Sequence, residues 1–108
     1  MSTGQPIVFE NKLDDSGNPT GGYASGVGLF INWQDGPLGR GEESKEPNGA
    51  FIEDVLKICA ERMRFYQASK FACEENVVVL EHIEAAILWL GERTKNREVR
   101  DVEGTYEI

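Results

Sequence analysis

The sequence predicts an α+β fold: a small N-terminal antiparallel β-sheet or hairpin packed with a C-terminal antiparallel αα-hairpin, assembled as an oligomer. Three observations predict it. Nine of the twelve glycines fall in the first 46 residues, which makes that half rich in turns. Within it, apolar and polar residues alternate, as on a half-buried strand. Beyond Pro47 the apolar residues instead recur at spacings of three and four, the period of a helix.

A length of 108 residues suits one domain. Its expected parts are a β-rich segment over 1–46 with a long glycine-rich loop, a helical hairpin over 47–100, and a tail over 101–108. "PIVFENKL" reads as the first strand and "DDSGNPTGG" as a dense turn. In "GYASGVGLFINWQ", Val27, Leu29, Ile31 and Trp33 stand at period two, which predicts one half-buried strand. An isolated hairpin of this kind is marginal and must pack on something. "DGPLGRGEESKEPNG" has no apolar period and is expected to be a loop; its glycines match neither common nucleotide-binding pattern.

Asn48 is placed to cap the first helix, with Glu53 and Asp54 near its positive end. Ile52, Leu56, Cys59, Met63 and Tyr66 form its predicted seam, which makes Cys59 a small core residue. Phe51, Val55, Ile58 and Phe65 widen the apolar face. "SKFACEEN" breaks the pattern. Leu80, Ile83, Ile87 and Leu90 form the second seam, again widened by Val77, Val79, Ala86 and Trp89. Two helices of about twenty residues or more, joined by a short turn, make an αα-hairpin. A lone hairpin cannot bury two such wide faces, so self-association is expected.

Composition excludes several classes of function. A net charge of -8 argues against DNA or RNA binding, which depends on neutralising many phosphates. The longest apolar run, Ala85 to Leu90, is too short to cross a bilayer. The N-terminus lacks the features of a signal peptide, so a cytoplasmic location is expected. Two cysteines, Cys59 and Cys73, support neither a disulfide framework nor a zinc site and are expected as free thiols. No residue set has metal-ligand spacing, and no cofactor is implied. The single histidine, His82, lies beside Glu81 and Glu84 in a helical stretch and suits a solvated or interface surface better than catalysis.

The informative stretch is "RTKNREVRDVEGT". Arg93, Lys95, Arg97 and Arg100 are four of the eleven basic residues, gathered within eight positions of an acidic chain. Arg93, Arg97 and Arg100 share a helix face, with Thr94 and Asn96 close by. Such cations also complement a helix C-terminus. Arginine, however, dominates over lysine, and its planar fork suits phosphate. Gly104 and Thr105 follow in a turn that can bring backbone N–H groups and a hydroxyl to the same place. Phe65 and Tyr66 offer an aromatic surface for a base. A small anionic ligand needs only two or three well-placed donors.

In order and spacing, "WQDGPLGRG", "EPNGAFIEDV", "RFYQASKFACEEN" and "RTKNREVRDVEGT" resemble the phage sponge proteins of the anti-Thoeris/anti-CBASS hairpin family. The resemblance to the anti-Thoeris branch covers roughly residues 22 to 106. It implies a phage protein acting in the infected bacterial host cell, with no catalysis. The ligands implied are cyclic ADP-ribose isomers, such as glycocyclic ADP-ribose made by TIR-domain proteins. Some members also hold cyclic di- or trinucleotides of the CBASS type at separate sites between subunits. A homodimer assembling into a hexamer is implied as well.

By motif, the resemblance assigns the pyrophosphate to Arg93 and Arg97, with Thr94 assisting. Tyr66 would stack on or wall the adenine, and Asn76 would read a polar edge or ribose hydroxyl. Arg40 would close over the ligand from its loop. Arg100, Gly104 and Thr105 would form an intersubunit pocket for cyclic trinucleotides. One departure is Asp101, where the pattern R-G-V-E-G-T would have glycine. Two other readings fit the residues: a small acidic phage regulator that binds a host protein, and an enzyme using His82, Glu92, Glu98 or Glu103 to cleave the signal.

Overall fold

The computed structural model describes residues 6–108. It has the α+β class expected, a three-stranded antiparallel sheet followed by two helices. The chain divides into two compact units. One runs up to Phe51 and includes Val102–Ile108; the other is Ile52–Asp101.

In the first unit, β1 (Val8–Leu13), β2 (Pro19–Gly26) and β3 (Leu29–Trp33) pair in sequence order. The β1–β2 turn is built by Asp14, whose Oδ1 accepts the backbone N–H groups of Ser16 (2.8 Å) and Asn18 (2.9 Å). The Asn18 N–H and its side chain, with the Ser16 and Gly17 N–H groups, hold the Asp14 carboxyl below the usual aspartate pKa. A lowered carboxylate favours the folded turn above its unfolded pKa, and this contribution fades as pH falls through the folded value.

The single strand expected over "GYASGVGLFINWQ" is two strands. Gly26 pairs with Leu29, so Val27 and Gly28 form a two-residue turn, with Gly28 at φ 71°. That left-handed conformation is cheap for glycine alone. Val27 therefore stands exposed at a hairpin tip and takes no part in a period-two face.

After β3 the chain makes the expected long loop, with one 3₁₀ turn at Gly41–Glu43. The loop's ends are tied together. Gln34 N–H donates to the Ala50 carbonyl (3.0 Å), and Ala50 N–H donates to the Asn32 carbonyl (2.7 Å). Asn48 serves this closure and does not cap a helix. Its N–H donates to Gln34 Oε1 (2.8 Å), and its Oδ1 accepts Asp35 N–H (2.9 Å). Helix α1 starts only at Ile52, too far along the chain for Asn48 to reach its first N–H groups.

In the second unit, α1 (Ile52–Gln67) and α2 (Glu74–Val99) pack together as a hairpin; α1 is shorter than expected. Glu53 and Asp54 do lie in the first turn of α1. Gln67 fixes the connection, since its side chain donates to the Cys73 carbonyl and accepts the Cys73 N–H, both at 3.1 Å. The α2 seam is as expected: Leu80, Ile83, Ile87 and Leu90 are all partly buried. The α1 seam is rotated from its expected phase. Leu56, Ala60, Met63 and Gln67 turn inward, with Ala60 only 1% exposed, while Ile52, Cys59 and Tyr66 are exposed. Apolar residues cover well over half of α1's circumference, so periodicity alone does not choose the side. Ala60 lets the two helices approach closely, and Cys59 is a surface thiol, not a core residue.

Helix α2 ends with Arg100 as its C-cap, and Asp101 follows at φ 58°. It is the one non-glycine with positive φ among the described residues. This is the position at which helices commonly place glycine. An aspartate there costs roughly 1 kcal/mol relative to glycine. Asp101→Gly is therefore expected to raise the melting temperature by a few degrees; an unchanged or lowered value in thermal unfolding would count against strain at this turn.

Candidate ligand-binding site

The arginine cluster lies on the last turns of α2, where sequence spacing puts it. Arg93, Arg97 and Arg100 differ by four and three positions and so occupy one sector of the helix. Their surroundings differ. Arg93 is exposed and lines a shallow depression with Trp89, Glu92, Lys95, Asn96 and Val99. Arg97 is buried, at 8% exposure, and is engaged within the fold. Arg100 is exposed, and its Nε donates to Asn96 Oδ1 at 2.9 Å. Thr94 is partly buried, one position past Arg93 and on the inward side with Leu90. The helix C-terminus adds negative partial charge near these cations, which eases their crowding.

Tyr66 and Asn76 belong to the other end of the hairpin. Tyr66 is exposed in the last turn of α1, edge-on to Phe65 with ring centroids 5.8 Å apart. Asn76 lies in the first turn of α2, where its Nδ2 donates to the Phe71 carbonyl (3.3 Å). The paired bonds of Gln67 to Cys73 place Tyr66 beside the first turn of α2, roughly 25 Å along the helix axis from Arg93 at 1.5 Å per residue. One hairpin therefore does not bring Tyr66 and Asn76 to the arginines.

The other three candidates meet in the sheet unit. The glycine-rich loop and the C-terminal tail are joined there. Gly39 N–H donates to the Gly104 carbonyl (2.9 Å), and Arg40 Nη1 donates to the Glu103 carbonyl (2.9 Å). Thr105 caps its own turn: Oγ1 donates to the Val102 carbonyl (2.5 Å) and accepts Glu107 N–H (3.1 Å). The Tyr106 hydroxyl donates to the Pro19 carbonyl (2.9 Å). Arg40 is thus committed to the tail in this structure.

Gly104 is the hinge of this junction. It has φ 82°, and a Cβ there would stand 2.3 Å from the Gly39 carbonyl oxygen. Gly104→Ala is expected to lift the tail from the loop. Hydrogen exchange at the Gly39 amide should rise at least tenfold, and unaltered protection would show that the junction tolerates a side chain.

Two side chains join the candidate surfaces without having been singled out as binding groups. Arg62 lies with its guanidinium 4.7 Å from the Phe65 ring centroid and 4.9 Å from that of Tyr66. Its place three and four residues ahead of the aromatic pair was a readable signal. Trp89, four residues before Arg93 and expected on the widened apolar seam, stands 72% exposed. Among the described residues, no group of three or more His, Cys, Asp or Glu is placed to hold a metal ion. Nor is any helix among them long and apolar enough to cross a membrane.

Comparison with known proteins locates this arrangement. The profile of the Acb2/Tad1 hairpin domain matches residues 27–95, which include β3, the loop, α1 and most of α2. A Bacillus phage SBSphiJ7 protein named Thoeris anti-defense 1 is 38% identical over 77 residues, covering 71% of this chain and 51% of the relative. The chain thus spans about half the length of that relative.

Proposed function

Because the chain belongs to the Acb2/Tad1 hairpin-domain family, we propose that it is a phage anti-defence protein that captures a cyclic nucleotide immune signal and holds it intact. Cyclic ADP-ribose isomers are the first candidates, as signals of Thoeris-type defence; cyclic di- and trinucleotides are candidates for separate sites between subunits. The role is binding without catalysis, carried out in the infected cell by an oligomer, a dimer or a hexamer built from dimers.

The observation that carries the reading is the arginine cluster on α2. Four cations within eight positions, in a chain of net charge -8, suit a compact anion and disfavour a polynucleotide. Arg93 is open to solvent beside an exposed tryptophan, so charge and a flat apolar surface adjoin. Arg93 and Arg97 are the proposed pyrophosphate ligands, assisted by Thr94. Tyr66 is the proposed base-stacking ring and Asn76 the reader of a polar edge. Arg40 contributes only if its bond to the tail opens, and Arg100, Gly104 and Thr105 would serve the second kind of site. Capturing a scarce signal requires affinity near the nanomolar range, about -12 kcal/mol. A few charge-assisted hydrogen bonds reach that only in a preorganised site.

The test is retention followed by denaturation. The protein is incubated with each cyclic ADP-ribose isomer and cyclic oligonucleotide in turn, freed of unbound ligand, and unfolded. Release of unchanged ligand is expected. Altered ligand would make the protein an enzyme, and no retention across the panel would leave an acidic regulator of a host protein.

A further inference from the structure

We propose that Asn48 is a site of spontaneous deamidation, and that the closed glycine-rich loop restrains the reaction for as long as it stays fastened. Asn48–Gly49 is the one Asn-Gly pair in the chain. Asn18 precedes Pro19, which has no amide N–H, and the other four asparagines precede residues whose side chains crowd the following nitrogen. Only after Asn48 is the next nitrogen unhindered, because glycine has no Cβ. Asn48 is also exposed, so water reaches it. The inference does not depend on the function proposed above.

The reaction needs only the chain and water. The Gly49 nitrogen attacks Asn48 Cγ and gives up its proton. The Asn48 side-chain nitrogen takes that proton and leaves as ammonia, and a succinimide ring joins the two residues. Water then opens the ring at either carbonyl. One opening leaves aspartate at position 48. The other leaves isoaspartate, whose main chain runs through Cβ and Cγ.

The closed loop holds both reacting groups against the end of β3. Asn48 Oδ1 accepts the Asp35 N–H (2.9 Å), the Asn48 N–H donates to Gln34 Oε1 (2.8 Å), and the Asn48 carbonyl accepts Asn32 Nδ2 (3.3 Å). Gly49 lies so close to β3 that a Cβ would stand 2.5 Å from the Trp33 carbonyl oxygen. Ala50 N–H then donates to the Asn32 carbonyl (2.7 Å). Swinging Cγ onto the Gly49 nitrogen breaks the Asp35 bond and turns the peptide that these contacts fix. The reaction therefore proceeds from a locally open loop, at a rate set by how often the loop opens. The isoaspartate product does not close again. Its main chain is one atom longer at a place where not even a Cβ fits, so the bridge between Trp33 and Ala50 is lost. The loop that carries Arg40 is then unfastened at one end.

Ageing of the full-length protein tests this. Parent protein is held at neutral pH, folded in buffer and unfolded in urea, and digested with trypsin at intervals. The peptide from Glu46 to Lys57 contains Asn48 and no other asparagine. Its mass rises when an amide becomes an acid. Isomerisation at Asp35–Gly36 releases water, not ammonia, falls in a different peptide and leaves the mass unchanged. Deamidation at Asn48 should be at least tenfold slower in the folded protein than in the unfolded chain. Gln34→Ala removes the acceptor of the Asn48 N–H and should speed the folded reaction about fivefold, the worth of one hydrogen bond. The aged form, purified by its added negative charge, should exchange the Ala50 amide at least tenfold faster than the parent. Asn48→Asp keeps the normal backbone and an acceptor for the Asp35 N–H, and should exchange that amide as the parent does.

Equal rates in the folded and unfolded parent, or a faster rate in the folded one, would overturn the restraint. So would a folded Gln34→Ala variant that ages no faster than the parent; should that variant not fold, the comparison of folded and unfolded parent decides alone. Deamidation in the unfolded chain that appears at other asparagines before Asn48 would overturn the site. Unaltered exchange at Ala50 in the aged form would show that the loop accommodates isoaspartate, against the inference.

Discussion

Arg97→Ala should weaken cyclic nucleotide binding by about thirty-fold to several-thousand-fold and should also lower the melting temperature. The first effect is the loss of a buried, charge-assisted partner of the phosphate, typically about 2–5 kcal/mol. The second follows from burial. Arg97 is 8% exposed and takes part in an interaction within the fold, which its truncation removes. That costs about 1–3 kcal/mol. For a domain of this size each kcal/mol moves the melting temperature by about 4–8 °C. Arg93→Ala separates the two effects. Arg93 is exposed, so removing it from the helix end should cost the free protein only about 0.3–1 kcal/mol through the dipole. The ligand should nevertheless lose affinity, and Arg93→Lys should restore it incompletely because lysine lacks the planar fork. Calorimetry and thermal unfolding on the same proteins decide the matter. If Arg93→Ala binds every retained ligand as the parent does, the cluster is a helix-end charge device and not a phosphate site.

This pair of variants also marks where sequence reasoning reached its limit. Spacing placed Arg93, Arg97 and Arg100 on one sector of α2, and the helix carries them there. Spacing did not reveal that Arg97 is buried, because burial depends on what covers the last turn of α2. A cation at a helix end is expected to be solvated, and a stability test of Arg97→Ala designed on that basis would mislead.

The same contrast runs through the fold. The α2 seam was legible because its apolar period is long and interrupted by polar residues. The α1 seam was not, since Ile52, Cys59 and Tyr66 are as apolar as the inward set, and only the small side chain of Ala60 distinguishes the side that packs. In the sheet, the alternation of Val27, Leu29, Ile31 and Trp33 concealed a turn. A glycine on each side of Val27 was the signal for it, and a two-residue hairpin preserves the period of two across its tip. Arg40 shows the hardest case. Its bond to the Glu103 carbonyl joins residues 63 positions apart, and no local pattern encodes it. The anomaly at Asp101, by contrast, was visible as a departure from a glycine-bearing motif, and its positive φ supplies the physical reason for glycine there.

Tyr66→Ala is expected to cost about 1–3 kcal/mol of ligand binding, some five-fold to 150-fold, while assembly and melting temperature change little. The ring is exposed at the end of α1, so its truncation opens no core cavity. It is also held in place: Phe65 meets it edge-on, and the Arg62 guanidinium stands 4.9 Å from its centroid. A base that stacks on such a ring meets a surface already ordered, which spares part of the entropic cost of binding. The stacking loss itself is of the size found for aromatic platforms under single-stranded bases. Tyr66→Phe keeps the π-face and should bind nearly as the parent does, unless the hydroxyl contacts the ligand. Arg62→Ala should weaken binding less than Tyr66→Ala, since an exposed cation–π contact contributes about 0.5–1 kcal/mol to holding the ring. Affinities of the three variants, measured with the same ligand, test this order. If Tyr66→Ala unfolds or changes the oligomeric mass, the ring is structural and the adenine must be held elsewhere. If Tyr66→Phe loses as much affinity as Tyr66→Ala, the contact is a hydrogen bond from the hydroxyl and not a stack.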